Sequence, residues 1–100
     1  MNDTVFVEAA QALGTMLAAR AGTTEDRIDY LFRRCLVRPP TNDERQLVLK
    51  FYEAQLARLE KIELDPAKIA GAGEGEPNDR AAWTVVARAL LNLDETITRN

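Results

Sequence analysis

The chain has 100 residues, of which 46% are hydrophobic and 29% charged, and its net charge at pH 7 is −3. These values are typical of one small globular domain rather than a disordered chain, and the acidic balance is unfavourable for a nucleic-acid-binding or anionic-membrane surface. The absence of histidine removes the commonest metal ligand and general base, and the single cysteine excludes an intrachain disulfide.

The first predicted helix covers residues 4–20 and starts at Asp3, the expected N-cap. Its apolar residues recur at steps of three and four, the spacing of one helix face: Phe6, Ala9, Ala10, Leu13, Met16 and Leu17. Gly14 lies inside this helix, at a cost of about 1 kcal/mol relative to alanine. We therefore expect Gly14 to allow close packing with another helix.

The second predicted helix covers residues 24–37, because Thr23 can cap it and Pro39 disfavours helix at the preceding residue. Its apolar face comprises Ile28, Leu31, Phe32, Cys35 and Leu36. Cys35 is expected to pack as a small hydrophobe rather than to act as a reactive thiolate. The second helix, the turn after it and the third helix superficially resemble a helix-turn-helix, with a possible basic patch at Arg27, Arg33, Arg34 and Arg38. The following helix begins with acids where phosphate contacts would lie, so DNA binding is not predicted.

The third predicted helix covers residues 42–62 and begins with the strongest local signal in the chain. Thr41 and Glu44 have the spacing of a capping box, in which each side chain bonds to the other residue's backbone amide. The expected core side comprises Leu47, Val48, Phe51, Leu59 and Ile62. Leu49, Tyr52 and Leu56 lie on another side, and we expect them to form an exposed surface that is a possible interface.

A flexible loop is predicted over residues 63–78, where glycine and acids replace apolar anchors. Asp65 and Pro66 can start one helical turn that extends through Ile69. A glycine-rich phosphate cradle is not predicted, because the glycine spacing fits neither nucleotide-binding fingerprint and no strand precedes it.

The last predicted helix covers residues 79–98. Its apolar stripe comprises Trp83, Val86, Leu90, Leu93 and Ile97. Since each predicted helix has one apolar face to bury, the expected fold is all-α: a single compact four-helix domain over residues 1–100, orthogonal or bundle-like, with a long Gly-rich loop before the last helix.

Asp94 interrupts the stripe of the last helix between Leu90 and Ile97. A carboxylate turned toward apolar neighbours must find a partner or become protonated. The donor we predict is Arg38, and the alternative is the set of backbone amides at Thr41–Glu44. Asp94 would then be a structural clamp between two helices, together with Arg38, Thr41 and Glu44.

No catalytic residue, cofactor site or metal site is predicted. The adjacent acids Asp94 and Glu95 are about 100° apart on a helix, so they do not form a facing acid–base pair. No apolar run approaches the roughly 18–20 residues of a membrane span, so membrane insertion is not expected. The N-terminus lacks the basic and apolar regions of a secretory signal, so the signal of an exported protein would have to lie outside this segment.

Three motifs occur in a fixed order along the chain. They are Asp3-x-x-Phe6-Val-Glu-Ala-Ala10, Arg34-Cys-Leu-x-Arg38-Pro-Pro-Thr-x-x-Glu44 and Ala82-Trp-Thr-x-x-Ala-Arg-x-Leu-Leu-Asn-Leu-Asp-Glu95. Together they resemble the C-terminal part of the planctomycete family catalogued as domain of unknown function 1553. The resemblance implies an excised piece of a large, usually exported protein, located in the periplasm or at the cell surface, whose upstream domains often include a cytochrome-c-like domain. It implies no reaction, and no haem site lies in this segment.

The sequence therefore leads to two hypotheses from different classes. The first is a non-catalytic structural module that packs against the upstream domains of a multidomain exported protein. The second is a module that binds a separate protein partner through the Leu49, Tyr52 and Leu56 surface. An enzyme is not predicted, because no nucleophile, base and charge stabiliser are seen to converge.

Overall fold

The computed structural model describes residues 4–61, 66–71 and 76–98, with backbone alone for residues 6, 67 and 94–98. Within these ranges the regular secondary structure is entirely helical. The helices are α1 (Thr4–Ala19), α2 (Thr24–Leu36), α3 (Asn42–Glu60), α4 (Pro66–Ala70) and α5 (Pro77–Thr98). The radius of gyration is 12.8 Å, close to the roughly 13 Å of a compact 100-residue domain. The predicted all-α, compact fold is confirmed.

The helix count differs from the four that were expected, because α4 is a fifth, short helix among the described residues. It corresponds to the single turn predicted after Asp65 and Pro66. Residues 63–65 and 72–75 of the predicted flexible loop lie outside the described ranges, as does Ile62 of the predicted third helix. α5 begins at Pro77, two residues earlier than predicted, because Glu76 supplies its N-terminal cap: the Glu76 carbonyl accepts from Arg80 N and its carboxylate accepts from Asp79 N at 2.6 Å.

α5 is the central element of the fold, since it packs against each of the other four helices. Its buried residues lie on several sides of the helix rather than on one stripe: Arg80, Ala81, Ala82, Trp83, Thr84, Val86, Ala87 and Leu90. Three of these eight residues are alanines, whose small side chains let neighbouring helices come close to the α5 backbone. α5 is therefore the scaffold on which the other helices are assembled.

α1 and α5 approach each other closely at Gly14. A Cβ atom added at Gly14 would lie 2.7 Å from the Thr84 backbone nitrogen and 2.8 Å from its Cα. Thr84 is fully buried and satisfies its hydroxyl within α5, by donating to the Arg80 carbonyl at 2.8 Å. The prediction that Gly14 is a close-packing residue is confirmed.

Capping residues fix both ends of α2. Thr23 and Asp26 form a reciprocal capping box at its start, with both bonds at 3.1 Å. Arg27 then donates twice to the Arg20 carbonyl at the end of α1, which joins the two helices across the short turn. α2 ends at Leu36, and its C-cap residue Val37 has a φ of 59°, in the left-handed region.

The buried side of α3 is shifted by about one residue from the prediction. It comprises Tyr52, Gln55 and Leu59, with Val48 partly buried beside them. Leu47 and Phe51, both predicted to be in the core, are instead 70% and 38% exposed. The physical reason is the Tyr52 ring, which stacks on the buried Trp83 of α5 with centroids 4.3 Å apart and so sets the rotation of α3.

Candidate interaction surface

An apolar groove lies between α3 and α5. We call it the α3–α5 groove, and its lining comprises Leu47, Val48, Phe51, Val86, Ala89, Leu90 and Leu93. The two helices run in opposite directions along it, because Tyr52 lies beside Asp79 and Trp83 while the more N-terminal Leu47 shares the groove with Leu93. The groove has a volume of about 330 Å³ and its lining residues are all apolar.

The floor and the edges of the groove differ in exposure. Val86 and Leu90 form the floor and are almost fully buried. Leu47, Phe51 and Leu93 are large apolar residues that remain exposed to solvent, Leu93 to 44%. A single exposed leucine carries no information, whereas three large apolar residues around one concave, wholly apolar surface are typical of a protein contact site.

Leu49, Tyr52 and Leu56 do not form the exposed surface that was predicted as a possible interface. The prediction was wrong for Tyr52, which is buried. Its side chain is 7% exposed, and its hydroxyl donates to Asp79 Oδ1. Burial raises the pKa of Tyr52 above its ordinary value, and the bond to Asp79 adds to this effect, so the hydroxyl stays protonated as a donor. Leu49 and Leu56 are half-buried and pack against the core. The exposed apolar surface of α3 is the neighbouring one, at Leu47 and Phe51.

Three of the four residues predicted to form a structural clamp lie together at the start of α3. Arg38 grips Glu44 through two bonds, Nη1 to Oε1 at 2.7 Å and Nη2 to Oε2 at 2.8 Å. Glu44 Oε1 also accepts from Thr41 N at 2.8 Å, and Thr41 Oγ1 accepts from Glu44 N at 3.1 Å. The side chain of the fourth residue, Asp94, lies outside the described part of the chain, so its pairing with Arg38 stays a prediction.

The electrostatics of this cluster follow from the bidentate contact. The Arg38 guanidinium, together with the Thr41 backbone amide, lowers the pKa of the Glu44 carboxyl to about 2. The same contact raises the pKa of Arg38. Arg38 thus extends the predicted capping box by joining the end of α2 to the start of α3.

Two buried polar groups at the start of α5 were not anticipated from the sequence. Arg80 is 5% exposed, and its Nη1 donates to the Gly71 carbonyl at 3.1 Å, which fixes the end of α4 against α5. Its Nε atom, like Trp83 Nε1, is buried without a hydrogen-bond partner among the described residues. The residue type alone does not show whether an arginine is buried. The signal in the sequence that could have indicated the burial of Arg80 is the apolar residues that follow it.

A second apolar pocket of about 340 Å³ lies between α1, α2 and α5. Cys35 lines it and is 6% exposed, as expected of a cysteine that packs as a small hydrophobe. Arg34, also in its lining, donates to the Tyr30 hydroxyl at 3.2 Å. This pocket is therefore part of the packing between three helices.

The described residues contain no group of three or more histidine, cysteine, aspartate or glutamate side chains placed to hold a metal ion. Within the same residues, no helix combines the length and the apolar character that crossing a membrane requires. Comparison of the chain with protein-family models, with curated proteins and with solved structures found no match.

Proposed function

We propose that this chain is a non-catalytic helical module that functions by packing against another protein surface through the α3–α5 groove. The observation that carries the proposal is the exposure of Leu47, Phe51 and Leu93 around a groove lined only by apolar residues. Burying such side chains contributes roughly 25 cal/mol for each Å² of apolar area removed from water. A protein contact at the groove would therefore be stabilised by the removal of these apolar side chains from water.

The resemblance to the family of domain of unknown function 1553 suggests the context of this contact. In that context the chain is the C-terminal segment of a multidomain exported protein, and the groove packs against its upstream domains. A separate protein partner is the second candidate, and it would use the same groove in place of the Leu49, Tyr52 and Leu56 surface.

The test uses a longer protein that carries this chain at its C-terminal end. The double substitution Leu47→Gln with Leu93→Gln should leave the helical module folded, because both side chains are largely exposed. It should also weaken the packing of the module against its partner surface. Faster cleavage upstream of residue 1 in limited proteolysis, or a changed oligomeric state of the longer protein, would report this loss.

Val5→Gln provides the matched control, since Val5 is an exposed valine of α1 that does not line the groove. It should change neither readout. If the double variant is folded and its protease sensitivity and oligomeric state equal those of the original protein, the proposed function is wrong.

A further inference from the structure

We propose that the α3–α5 groove binds an amphipathic helix of the partner surface, whose apolar residues fill the groove and whose acidic residues lie beside α3. This inference rests on the proposed function and names the chemistry of the partner. It comes from two observations: the groove is lined only by apolar side chains on two helices, and the charges of α3 are unevenly distributed around that helix.

The lining of the groove selects the backbone conformation of its partner. Both walls are helices, whose main-chain N–H and C=O groups are bonded within the helix, and every lining side chain is apolar. An extended segment in such a groove would bury its own main-chain polar groups without hydrogen-bond partners, which is costly. A helix bonds these groups internally and presents only its side chains. The groove is therefore suited to a helical partner.

The spacing of the lining residues sets the length of the contact. Leu47 and Phe51 lie one turn apart on α3, and Val86, Leu90 and Leu93 follow one another at steps of four and three on α5. The seven positions from Val86 to Leu93 span roughly 10.5 Å, or about two helical turns. A partner helix along this groove would therefore insert large apolar residues at positions i, i+3, i+4 and i+7.

Cations gather on the side of α3 that carries the outer edge of the groove. Lys50, Arg58 and Lys61 are all exposed there. Arg58 lies within about 20° of both Leu47 and Phe51 around the helix, and Lys50 is nearly one turn after Leu47. This edge is therefore locally positive, although the net charge of the chain is −3.

The acids of α3 do not cancel these charges. Glu53 and Glu60 lie on the opposite side of the helix from the groove residues. Glu44 lies nearer to the groove, but Arg38 grips its carboxylate through two bonds. Asp43 remains on the cationic side, in the first turn, where three cations outnumber it.

The other edge of the groove has no charge of its own, since it is formed by Ala89 and Leu93 of α5. The surface complementary to the whole site is therefore an apolar stripe with carboxylates on the flank that faces α3. Charge complementarity of this kind sets the selectivity and the association rate of a contact more than its total affinity. The apolar anchors supply the affinity, and the cations of α3 select an acidic helix over a basic one.

Binding of three synthetic helical peptides to the chain tests the inference. The peptides have one length and one set of leucines, at positions i, i+3, i+4 and i+7, and their flanking residues are glutamate, glutamine or lysine. At low salt the glutamate peptide should bind about tenfold more tightly than the lysine peptide, with the glutamine peptide between them. Fluorescence polarisation measures each dissociation constant. At about 1 M salt the order should disappear while binding persists, because salt screens the charges and not the apolar contact.

Lys50→Glu tests the charge at the groove edge. It should weaken binding of the glutamate peptide about threefold and strengthen binding of the lysine peptide. Lys68→Glu is the matched control, because Lys68 is an exposed lysine of α4 outside the groove lining and the net charge changes equally. It should leave the order of the peptides unchanged. Phe51→Gln should weaken all three peptides about tenfold, and circular dichroism checks that each variant remains helical.

Equal dissociation constants for the glutamate and lysine peptides at low salt, or no binding of any peptide, would overturn the acidic helix as the partner. Binding to phosphatidylglycerol vesicles that Phe51→Gln abolishes, without binding of the glutamate peptide, would overturn it as well and assign the groove to a lipid surface. The proposed function would survive peptide results of this kind if the Leu47→Gln and Leu93→Gln double variant still disturbed the longer protein. The two proposals therefore fail in different experiments.

Discussion

At the scale of single residues, Gly14 has the most demanding position in the fold. Its missing side chain allows the α1 backbone to approach Thr84 more closely than any Cβ atom permits. We predict that Gly14→Ala lowers the free energy of unfolding by about 2–4 kcal/mol, because the two helices must separate, and this loss outweighs the gain in helix propensity. Urea denaturation measures this change.

The Thr84 side chain provides a control for this prediction. Thr84→Ala removes the hydroxyl near the new methyl group, but the backbone nitrogen and Cα of residue 84 remain in contact with it. The double variant should therefore recover little of the loss. Full recovery would show that the Thr84 hydroxyl, and not the backbone approach, requires glycine at this position.

Val37 is the opposite case, because its side chain is poorly suited to its position. It has a φ of 59° and is 86% exposed at the C-terminal end of α2. A β-branched residue is strained in the left-handed region, whereas glycine adopts it at no steric cost. We predict that Val37→Gly raises the free energy of unfolding by about 0.5–1 kcal/mol in thermal or urea melts. Val37→Ala keeps a Cβ atom and should gain less; an equal gain from both variants would contradict this account.

Residues were predictable from the sequence where local chemistry alone decides their role. Gly14 and Cys35 were placed correctly because glycine and cysteine have few alternatives inside an apolar helix pattern. Tyr52 was misplaced because its burial depends on the Trp83 ring and on Asp79, which lies 27 positions away along the chain. A contact between distant residues leaves no periodic signal in one sequence.

At the scale of elements, the start of α3 gives a prediction about pH. The Glu44 carboxyl has a pKa of about 2 in the folded chain, below its ordinary value of 4.5. Its ionised form therefore stabilises the fold above about pH 4.5, and this contribution is lost as the pH falls from about 4.5 toward 2. Glu44→Gln should reduce the acid-induced fall of the melting temperature across this window.

Glu53→Gln is the matched control, because it removes one exposed negative charge from α3 without touching the cap. Melting curves recorded at several pH values compare the two variants with the original chain. If both variants flatten the profile equally, net charge rather than the Arg38–Glu44 contact is responsible.

The rotation of α3 gives a second prediction at this scale. Leu49 and Leu56 are half-buried against the core, whereas Leu47 is mostly exposed. Leu49→Gln and Leu56→Gln should each lower the free energy of unfolding by about 1–3 kcal/mol, while Leu47→Gln should stay within about 0.5 kcal/mol. Urea melts of the three variants measure these differences. A larger loss for Leu47→Gln than for Leu49→Gln and Leu56→Gln would indicate that α3 faces the core as the sequence pattern first suggested.

The bounds of the elements followed well from capping chemistry, whereas the orientation of α3 did not. The Thr41 and Glu44 pair placed the start of α3 at the correct residue, because a capping box is a local interaction. Apolar residues on several sides of α3 fit more than one buried face, and packing against α5 decides between them. The α3–α5 groove was missed for the same reason, since its residues come from two helices far apart in the chain.

At the scale of the whole molecule, one helix holds the others together. α1, α2, α3 and α4 each pack on α5, which spans 22 residues and is buried on several sides. Without α5, most apolar faces of the other helices would lose their main contact. The free energy of unfolding of a chain of this size is only about 5–15 kcal/mol. Partly folded forms that lack the contacts with α5 are therefore not expected to be populated.

This arrangement predicts that the chain unfolds in one cooperative step. Trp83, the only tryptophan, lies in the N-terminal third of α5 and is fully buried against Tyr52, so its fluorescence reports the loss of the core. Far-ultraviolet circular dichroism reports the loss of all helices, and most of the helical residues belong to elements that contact α5. The two signals should therefore give the same urea midpoint and the same slope. If helix content is lost in a separate step before Trp83 becomes exposed, some helices are stable without their packing on α5, and the central role of that helix would be wrong.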